Sequence, residues 1–342
     1  MSADGRAPNA LVTGISTLVS GATGFLGGYL LARLSANGFQ VRALARATSD
    51  SASLACSGVD ISEGDVLDRP SLQRAMANQQ LVFHTAGRVS DRGSRREFWL
   101  ANVDGTANVI AACREAGVKR LIHLGSLTVF GLPRSGAKID ERTPPAAALG
   151  DPYSASKLAG ERLVCEAHGS GGLETVVIRP GVIWGPGDTS IMPRLIALLR
   201  RRRLVFIGRG SNHLGLSHVE NLSQGLILAA LTPLAAGQVF HLTDGEEVTA
   251  HDAFCALAAA LGVPPPRFSL TFPLVYSLAA LAEWSAWLRA AAAPPALSRY
   301  GVRLVACDSR YDIGKARREL GYQPSVTFRQ GMESLFAAAR LS

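Results

Sequence analysis

Cysteine is scarce in this chain: there are five cysteines in 342 residues, and no two of them form a Cys-x-x-Cys pair. An odd number of scattered cysteines indicates neither a zinc site nor a full disulfide framework. The sequence also lacks a charged start followed by a continuous apolar core and a cleavage site. We therefore expect a protein of the reducing cytoplasm, with no bound metal.

Aromatic residues are few as well, at 6% of the chain, although the net charge of +8 would suit a nucleic-acid partner. The cationic residues are scattered, whereas a nucleic-acid-binding domain gathers them on one face. The densest run, four arginines at 200–203, closes a helical pattern at 191–199. Cations suit that end of a helix and usually form a solvated face, so no nucleic-acid partner is predicted.

No apolar run is long enough for an ordinary membrane span. The most apolar stretch, 270–293, is interrupted by Pro273, Glu283 and Arg289. Its large apolar residues recur at helical spacing, which predicts a core-facing helix. The alternatives are a lid over a lipophilic substrate and a helix lying on a membrane surface. A membrane surface is a less favoured partner for this chain than a small-molecule substrate. The recurring residues are Leu274, Leu278, Leu281, Trp284 and Leu288.

The chain is organised around the stretch 17–28, where a short apolar run leads into three glycines spaced by two residues. Gly21 would allow a sharp turn, Gly24 would let a pyrophosphate approach the backbone, and Gly27 would let the next helix press against the sheet. Free N–H groups at that helix start would face the phosphates. The stretch therefore predicts a dinucleotide site, and residues 1–16 are expected to be an extension.

Strands and helices alternate after this turn, which predicts an α/β fold with a doubly wound parallel sheet. Ligands of such sheets lie beyond the carboxyl ends of the strands. The predicted strands are 39–45, 81–85, 120–124, 175–179, 204–210 and 238–243, and the predicted helices are 29–37, 71–76, 102–116, 153–168, 218–231, 250–261, 310–320 and 328–341.

The end of the second strand decides which dinucleotide is favoured. An acidic residue there would bind both ribose hydroxyls of NAD. This chain has Ala45 and Arg46 at that end, and no carboxylate until Asp50. Because a guanidinium favours a 2′-phosphate through charge-assisted hydrogen bonds, NADP(H) is predicted over NAD(H).

Tyr153 and Lys157 stand four residues apart at the start of a predicted helix, so their side chains share one face. A phenol is a poor acid at neutral pH, and we expect the neighbouring ammonium to lower its pKa. A surface pair on a helix would show the same spacing. Ser126 follows an apolar strand, where its hydroxyl would bond a substrate carbonyl, although a serine there is often only a turn former.

These features together resemble the extended short-chain dehydrogenases/reductases of the NAD-dependent epimerase/dehydratase superfamily, over nearly the whole chain. The resemblance favours the branch of 3β-hydroxysteroid dehydrogenases and dihydroflavonol reductases. The matching residues are Gly21, Gly24, Gly27, Asp65, Val66, His84, Thr85, Ala86, Asn102, Gly105, Thr106, Asn108, Ser126, Tyr153, Lys157 and the run from Arg179 to Gly187.

The resemblance implies a Rossmann domain at 17–183, to which some later segments return, and a smaller α+β substrate domain at 184–342. It assigns Tyr153 as acid and base, Lys157 as its partner and Ser126 as the residue that orients the carbonyl. Residues after Arg179 are expected to reach the nicotinamide through their backbone. The implied cofactor-binding residues are Gly21, Thr23, Gly24, Phe25, Leu26, Gly27, Arg46, Asp65, Val66, Thr85, Ala86, Gly87, Asn102, Tyr153, Lys157, Pro180, Gly181 and Val182. For Asp65, a turn or helix cap explains the residue equally well.

The predicted function is interconversion of a ketone and a secondary alcohol on a lipophilic steroid-like, polyketide-like or β-oxo acid compound. One alternative is a nucleotide-sugar epimerase or dehydratase, whose relatives place an Asn where this chain has Val182. A valine has no polar group to hold a diphosphate sugar. The other alternative is a non-catalytic NADP-binding sensor. A homodimer is common in the family, and His218 is expected to be structural rather than catalytic.

Overall fold

A computed structural model describes residues 14–49, 54, 58–90, 93–131, 138–146, 151–289 and 297–339, with side chains to residue 336. Several predicted features lie outside these ranges. They are the extension up to residue 13, Asp50, the cysteine at position 56, the end of the apolar stretch 270–293 and the end of the last predicted helix.

Eleven strands are present in the described ranges. They are β1 (Ser16–Ser20), β2 (Gln40–Ala45), β3 (Asp60–Glu63), β4 (Leu81–His84), β5 (Arg120–Leu124), β6 (Glu174–Pro180), β7 (Val182–Trp184), β8 (Phe206–Ile207), β9 (Leu216–His218), β10 (Val239–Leu242) and β11 (Ser269–Leu270). Seven of them form one parallel sheet in the order β10-β6-β5-β4-β1-β2-β3. The pairs β7/β9 and β8/β11 form two further small sheets.

Twelve α-helices connect these strands in the same ranges. They are α1 (Phe25–Ala36), α2 (Arg69–Met76), α3 (Arg95–Trp99), α4 (Gly105–Ala116), α5 (Pro152–Glu166), α6 (Met192–Arg200), α7 (Val219–Leu231), α8 (Ala250–Ala260), α9 (Phe272–Leu288), α10 (Arg299–Ala306), α11 (Gly314–Leu320) and α12 (Phe328–Ala339). A π-helical segment, Leu100–Asp104, joins α3 to α4.

The main sheet is covered on both faces, as the alternation of elements predicts. Side chains of a strand point alternately to the two faces. Val19 of β1 packs in one cluster with Leu30 and Leu34 of α1, whereas Leu18 packs on the other face with Leu72 and Val109. The Rossmann-type doubly wound fold is thus confirmed.

The chain leaves the main sheet after β6 and builds a third cluster around Trp184, Met192, Leu257 and Met332. It returns through α7 and through β10, which pairs with β6 at the sheet edge. The division at residue 183 therefore remains a prediction, with the expected return of later segments visible in β10.

Four predicted boundaries need correction. The helix predicted at 102 begins at Arg95, because Ser94 caps it by accepting a hydrogen bond from the Glu97 N–H. The strand predicted at 204–210 is only β8, two residues long. The helix predicted at 310–320 is α11, which begins at Gly314 after Tyr311 bridges to Ile139. Residue 16, assigned to the extension, already lies in β1.

Helix α9 forms where predicted but faces the other way. Its buried residues are Val275, Ala279 and Ala286, so the predicted core-facing stripe points outward. Both faces of this helix are apolar, and the periodicity of the large residues predicted the wrong face to be buried. The exposed residues are Leu274, Leu278, Leu281, Trp284, Trp287 and Leu288. In the described part of the chain, every helix is too short or too polar to cross a bilayer.

Candidate active site

The glycine turn between β1 and α1 is packed too tightly for side chains at two of its three glycines. Gly21 has a φ of +74°, and a Cβ there would lie 2.6 Å from the Ala86 nitrogen. A Cβ on Gly27 would lie 2.1 Å from the Gly21 carbonyl oxygen. These two glycines therefore hold strand, turn and helix together, as predicted from their spacing.

Gly24 has a different role, because it is exposed and forms the N-cap of α1 with no side-chain cap. A Cβ at Gly24 would meet only the Gly21 carbonyl oxygen, at 3.2 Å. The first N–H groups of a helix have no intrahelical acceptor, and α1 begins directly after the exposed Thr23 and Gly24. This bare helix start fits an anionic group such as a diphosphate.

The ends of β1 and β4 form the next wall of the site. The Thr85 hydroxyl donates to the Ser20 carbonyl over 2.6 Å and thereby fixes the start of the 85–88 segment. The buried Asn102 side chain accepts from the Arg88 N–H (2.7 Å) and donates to the Ser156 hydroxyl (2.9 Å). Asn102 thus ties the segment carrying Ala86 and Gly87 to α5.

The π-helical segment is what places Asn102 in this position. π-Helical turns occur often at functional sites. A Cβ on Gly87 would lie 3.0 Å from Asn102 Oδ1 and 3.8 Å from Lys157 Nζ. The strand end, the π segment and α5 therefore converge on one point.

Ser126 and Tyr153 are neighbours in this site. Ser126 follows β5 and caps a short 3-10 turn, Leu127–Phe130, and its Oγ lies 2.9 Å from the Thr128 hydroxyl. The Ser126 hydroxyl also lies near enough to the Tyr153 phenol to lower the pKa of that group. Asp151 fixes the start of α5 by accepting from the Tyr153 N–H over 3.1 Å. The strand-end serine is thus both a turn former and a neighbour of the phenol.

Burial raises the pKa of Tyr153 to about 12, while the Ser126 hydroxyl lowers it and the charge of Asp151 raises it. The expectation that Lys157 makes this phenol unusually acidic needs correction. The removal of water from the ring, rather than the ammonium, has the largest effect. The Tyr153 hydroxyl therefore keeps its proton at neutral pH.

Lys157 is buried one helical turn further along α5, and its Nζ donates to the Leu124 carbonyl over 2.5 Å. Burial lowers the pKa of this ammonium to about 8, against the raising effect of Glu161. Burial, followed by the charge of Lys157, lowers the pKa of His84 to about 3 and that of His123 well below its usual value. The histidines beneath the site are therefore neutral, and Lys157 carries its positive charge.

The segment after Arg179 uses two of its backbone N–H groups inside the protein. Arg179 forms a buried ion pair with Glu161, at 2.5 Å. The N–H of Gly181 donates to the Ser217 hydroxyl (2.9 Å), and the N–H of Val182 donates to the Gly215 carbonyl (2.7 Å). These two donors are committed within the protein, so a backbone contact from these residues to a nicotinamide would use their carbonyl groups. For Pro180, Gly181 and Val182, the cofactor assignment remains a prediction.

The residues predicted to hold the adenosine end surround the ends of β2 and β3. Arg46 follows β2 and is exposed, and within the described ranges it forms no salt bridge. Asp65 accepts from the Leu67 N–H over 2.9 Å, so its carboxylate forms a turn, as in the alternative explanation. The Val66 carbonyl accepts from Asn108 over 3.0 Å. Cofactor roles for Arg46, Asp65 and Val66 remain predictions.

Two small cavities lie beside α10, each of about 50 Å³. The first is lined by residues that the sequence did not indicate as part of a site, including Thr128, Tyr300 and Arg303. The Tyr300 ring centroid is 5.9 Å from that of Tyr153. Tyr300 lies 147 positions later in the chain, so only the fold reveals it.

The second cavity is apolar, and Leu304 of α10 lines both cavities. Val182 forms part of its wall, together with Met192, Leu216 and Phe254. His218 caps α7, where its Nδ1 accepts from the Glu220 N–H at 3.3 Å, and its structural role remains a prediction. Within the described ranges, no group of three His, Cys, Asp or Glu residues is placed to hold a metal.

Comparison with known proteins matches this chain to one family and to reductases. The model of the NAD dependent epimerase/dehydratase family matches residues 17–242. The 4-hydroxy-2-methyl-3-oxo-4-farnesyl-3,4-dihydroquinoline-1-oxide ketoreductase of Stigmatella aurantiaca is 35% identical, over 93% of this chain and 95% of its own length. The 2-alkyl-3-oxoalkanoate reductase of Stenotrophomonas maltophilia is 35% identical, over 94% and 98%. The crystal structure of gox2253 has a TM-score of 0.76 at 28% identity, covering 96% of this chain and 98% of that one.

Proposed function

The chain belongs to the NAD dependent epimerase/dehydratase family, among the extended short-chain dehydrogenases/reductases, and on this basis we propose that it reduces a ketone to a secondary alcohol with NADPH. Its family membership and its similarity to reductases identify the chain as an NAD(P)-dependent oxidoreductase. The proposed substrate is a lipophilic small molecule of the steroid-like, polyketide-like or β-oxo acid type. The observation that carries the proposal is the gathering of three buried side chains at the end of β5: Ser126, Tyr153 and Lys157, whose Nζ is held by the Leu124 carbonyl.

The residues present fit the cofactor. The glycine turn is closed by Gly21 and Gly27 and leaves Gly24 bare at the helix start, which suits a diphosphate. Lys157 Nζ lies close to the strand end at Gly87, where a ribose hydroxyl would be within its reach. Bound there, NADPH would supply the hydride for carbonyl reduction.

The chain's own residues supply the carbonyl binding and the proton. In the proposed reaction, the Ser126 hydroxyl donates to the carbonyl oxygen and the Tyr153 hydroxyl gives its proton to the developing alkoxide. Because the pKa of Tyr153 is raised to about 12, the phenol holds that proton until charge develops nearby. The Lys157 ammonium then stabilises the phenolate that is left.

Two features support NADP and a lipophilic substrate over the nucleotide-sugar alternative. The exposed Arg46 follows β2, at the place where a 2′-phosphate would lie. Val182 lies in the wall of an apolar cavity, where a diphosphate sugar would find no hydrogen-bond partner in that side chain. The relatives named above are reductases of oxo compounds, in agreement with this choice.

The decisive experiment replaces Tyr153 with phenylalanine and follows NADPH oxidation with a panel of lipophilic ketones. Loss of the proton donor should lower kcat by about 100-fold or more, while the Kd for NADPH measured by fluorescence stays the same. Tyr276→Phe, on α9, is the matched control and should keep full activity. Unchanged turnover in Tyr153→Phe would reject the role of Tyr153.

The same assay tests the alternatives. A wild-type enzyme that turns over nucleotide sugars without net consumption of NADPH would establish the epimerase class instead. A wild-type protein that binds NADPH but reduces no member of the panel would favour the sensor.

A second experiment tests the cofactor. Arg46→Ala should weaken NADPH binding by roughly 10- to 100-fold, the loss of one charge-assisted contact. NADH binding should stay unchanged and serves as the internal control. An equal loss of affinity for NADPH and NADH would show that Arg46 does not bind the 2′-phosphate.

A further inference from the structure

The outward stripe of α9 consists of Leu274, Leu278, Leu281, Trp284 and Leu288. Their exposed fractions run from 43% to 60%, and spacings of three and four residues place them along one face of the helix. Trp287, at 71%, lies beside this stripe, and Phe268, at 73%, lies just before the helix. Large apolar side chains are thus gathered on one surface, which marks an interaction site.

The opposite face of α9 holds the helix to the protein. Val275 and Ala279 pack with Val302 of α10 in a separate apolar cluster. Glu283, the one acidic residue of α9, is bonded on this side to Arg299, over 2.6 Å. The stripe itself therefore contains no negative charge.

Arginines lie near both ends of the stripe. Arg267 is exposed beside Phe268, and Arg289 folds back along the last turn of α9 onto the Ser285 hydroxyl, over 2.9 Å. The run of four exposed arginines at 200–203 is brought near the start of α9 by β8, whose Phe206 N–H donates to the Phe268 carbonyl over 2.9 Å. Within the described ranges, neither this run nor Arg267 forms an ion pair with a carboxylate.

We propose that the α9 stripe docks on the surface of an anionic lipid bilayer, with the stripe in the interface and the arginines on the headgroups. Tryptophan and leucine on one helix face with cations at its margin are the features of helices that lie in the interface plane. A second copy of this chain fits less well, because a two-fold contact at the stripe would bring the two sets of arginines together. Anionic headgroups neutralise them instead.

This surface goes beyond the proposed reaction and concerns how the protein meets a lipophilic substrate. Helix α9 packs on α10, which carries Tyr300 and Leu304 at the two cavities. The docked face is therefore separated from the candidate active site by a single helix. Docking would therefore bring the candidate active site close to a substrate dissolved in the bilayer.

The test is co-sedimentation of the full chain with phosphatidylcholine vesicles, with and without phosphatidylglycerol. We expect binding only to the anionic vesicles, its loss at high salt, and a blue shift of tryptophan fluorescence as Trp284 and Trp287 enter the interface. Leu281→Glu should weaken binding by roughly tenfold or more, because a charged side chain at this depth opposes insertion. Leu234→Glu, at a residue 72% exposed on another surface, carries the same charge change and should bind like the wild type.

Thermal melts of both variants verify that each is folded. Three results would overturn the proposal. They are equal binding to neutral and anionic vesicles, equal loss in the two variants, and absence of vesicle binding in the wild type. If the wild type is a dimer by light scattering and Leu281→Glu is a monomer, the stripe is an interface between copies of the chain. If the substitution changes only the KM for a ketone, the stripe is a substrate lid.

Discussion

Lys157 lowers the stability of the folded protein at neutral pH, and this cost can be measured. Burial moves the pKa of its ammonium from 10.5 to about 8. At 1.36 kcal/mol per unit of pKa, the protonated side chain costs about 3 kcal/mol of folding free energy. The folded chain therefore binds fewer protons than the unfolded chain between pH 8 and 10.5.

The sign of the pH dependence follows from that difference. Stability rises with pH wherever the unfolded state binds more protons. The wild type should therefore gain about 2 to 3 kcal/mol between pH 7 and pH 10 through this one group. Lys157→Met removes the gain. The substitution also loses the hydrogen bond to the Leu124 carbonyl, but that loss is the same at both pH values and cancels in the comparison.

The assay is urea unfolding of the wild type and of Lys157→Met at pH 7 and pH 10. The readout is the change in unfolding free energy from pH 7 to pH 10, compared between the two proteins. Lys119→Met, at an exposed position, is the matched control and should follow the wild type at both pH values. Lys157→Met should also lose reductase activity. If the stability difference between the wild type and Lys157→Met is the same at the two pH values, burial does not lower the pKa of Lys157 as proposed.

Three further predictions concern residues whose contacts are fixed by the fold. Gly27→Ala should cost about 1 to 3 kcal/mol in urea unfolding and abolish NADPH binding, because its Cβ would lie 2.1 Å from the Gly21 carbonyl oxygen. Gly28→Ala, whose Cβ meets nothing within 4 Å, should do neither. Glu161→Gln should cost about 3 kcal/mol by the same measurement, since it leaves the buried Arg179 unpaired. Ser126→Ala should lower kcat by about 100-fold with an unchanged Kd for NADPH.

Much of the fold and of the site's convergence could be predicted because both follow from local patterns. The three glycines constrain a turn only a few residues long, and each alternation of apolar periods marks one strand or helix. Parallel strands bring their carboxyl ends to one edge of the sheet, so Ser126, Ala86 and the glycine turn had to meet there. Tyr300 could not be found in this way, because nothing near it in the sequence indicates that α10 packs beside Tyr153.

Helix α9 shows the limit of periodicity. A hydrophobic stripe predicts which residues share a face, but the inward face depends on what packs against it. The chosen stripe contained leucines and tryptophans, whereas the buried face uses Val275, Ala279 and Ala286. Small side chains permit the close approach of α10, so the weaker-looking face is the one that packs.

The pKa of Tyr153 shows a second limit, which bears on the reaction. A sequence identifies the charges near a group but not the water removed from it. Lys157 was expected to lower the pKa of the phenol, yet burial raises it to about 12. A buried phenol keeps its proton, and a buried ammonium with a pKa of about 8 still carries charge at neutral pH. The site is thus arranged to donate a proton and then stabilise the anion that remains, which is the order that carbonyl reduction requires.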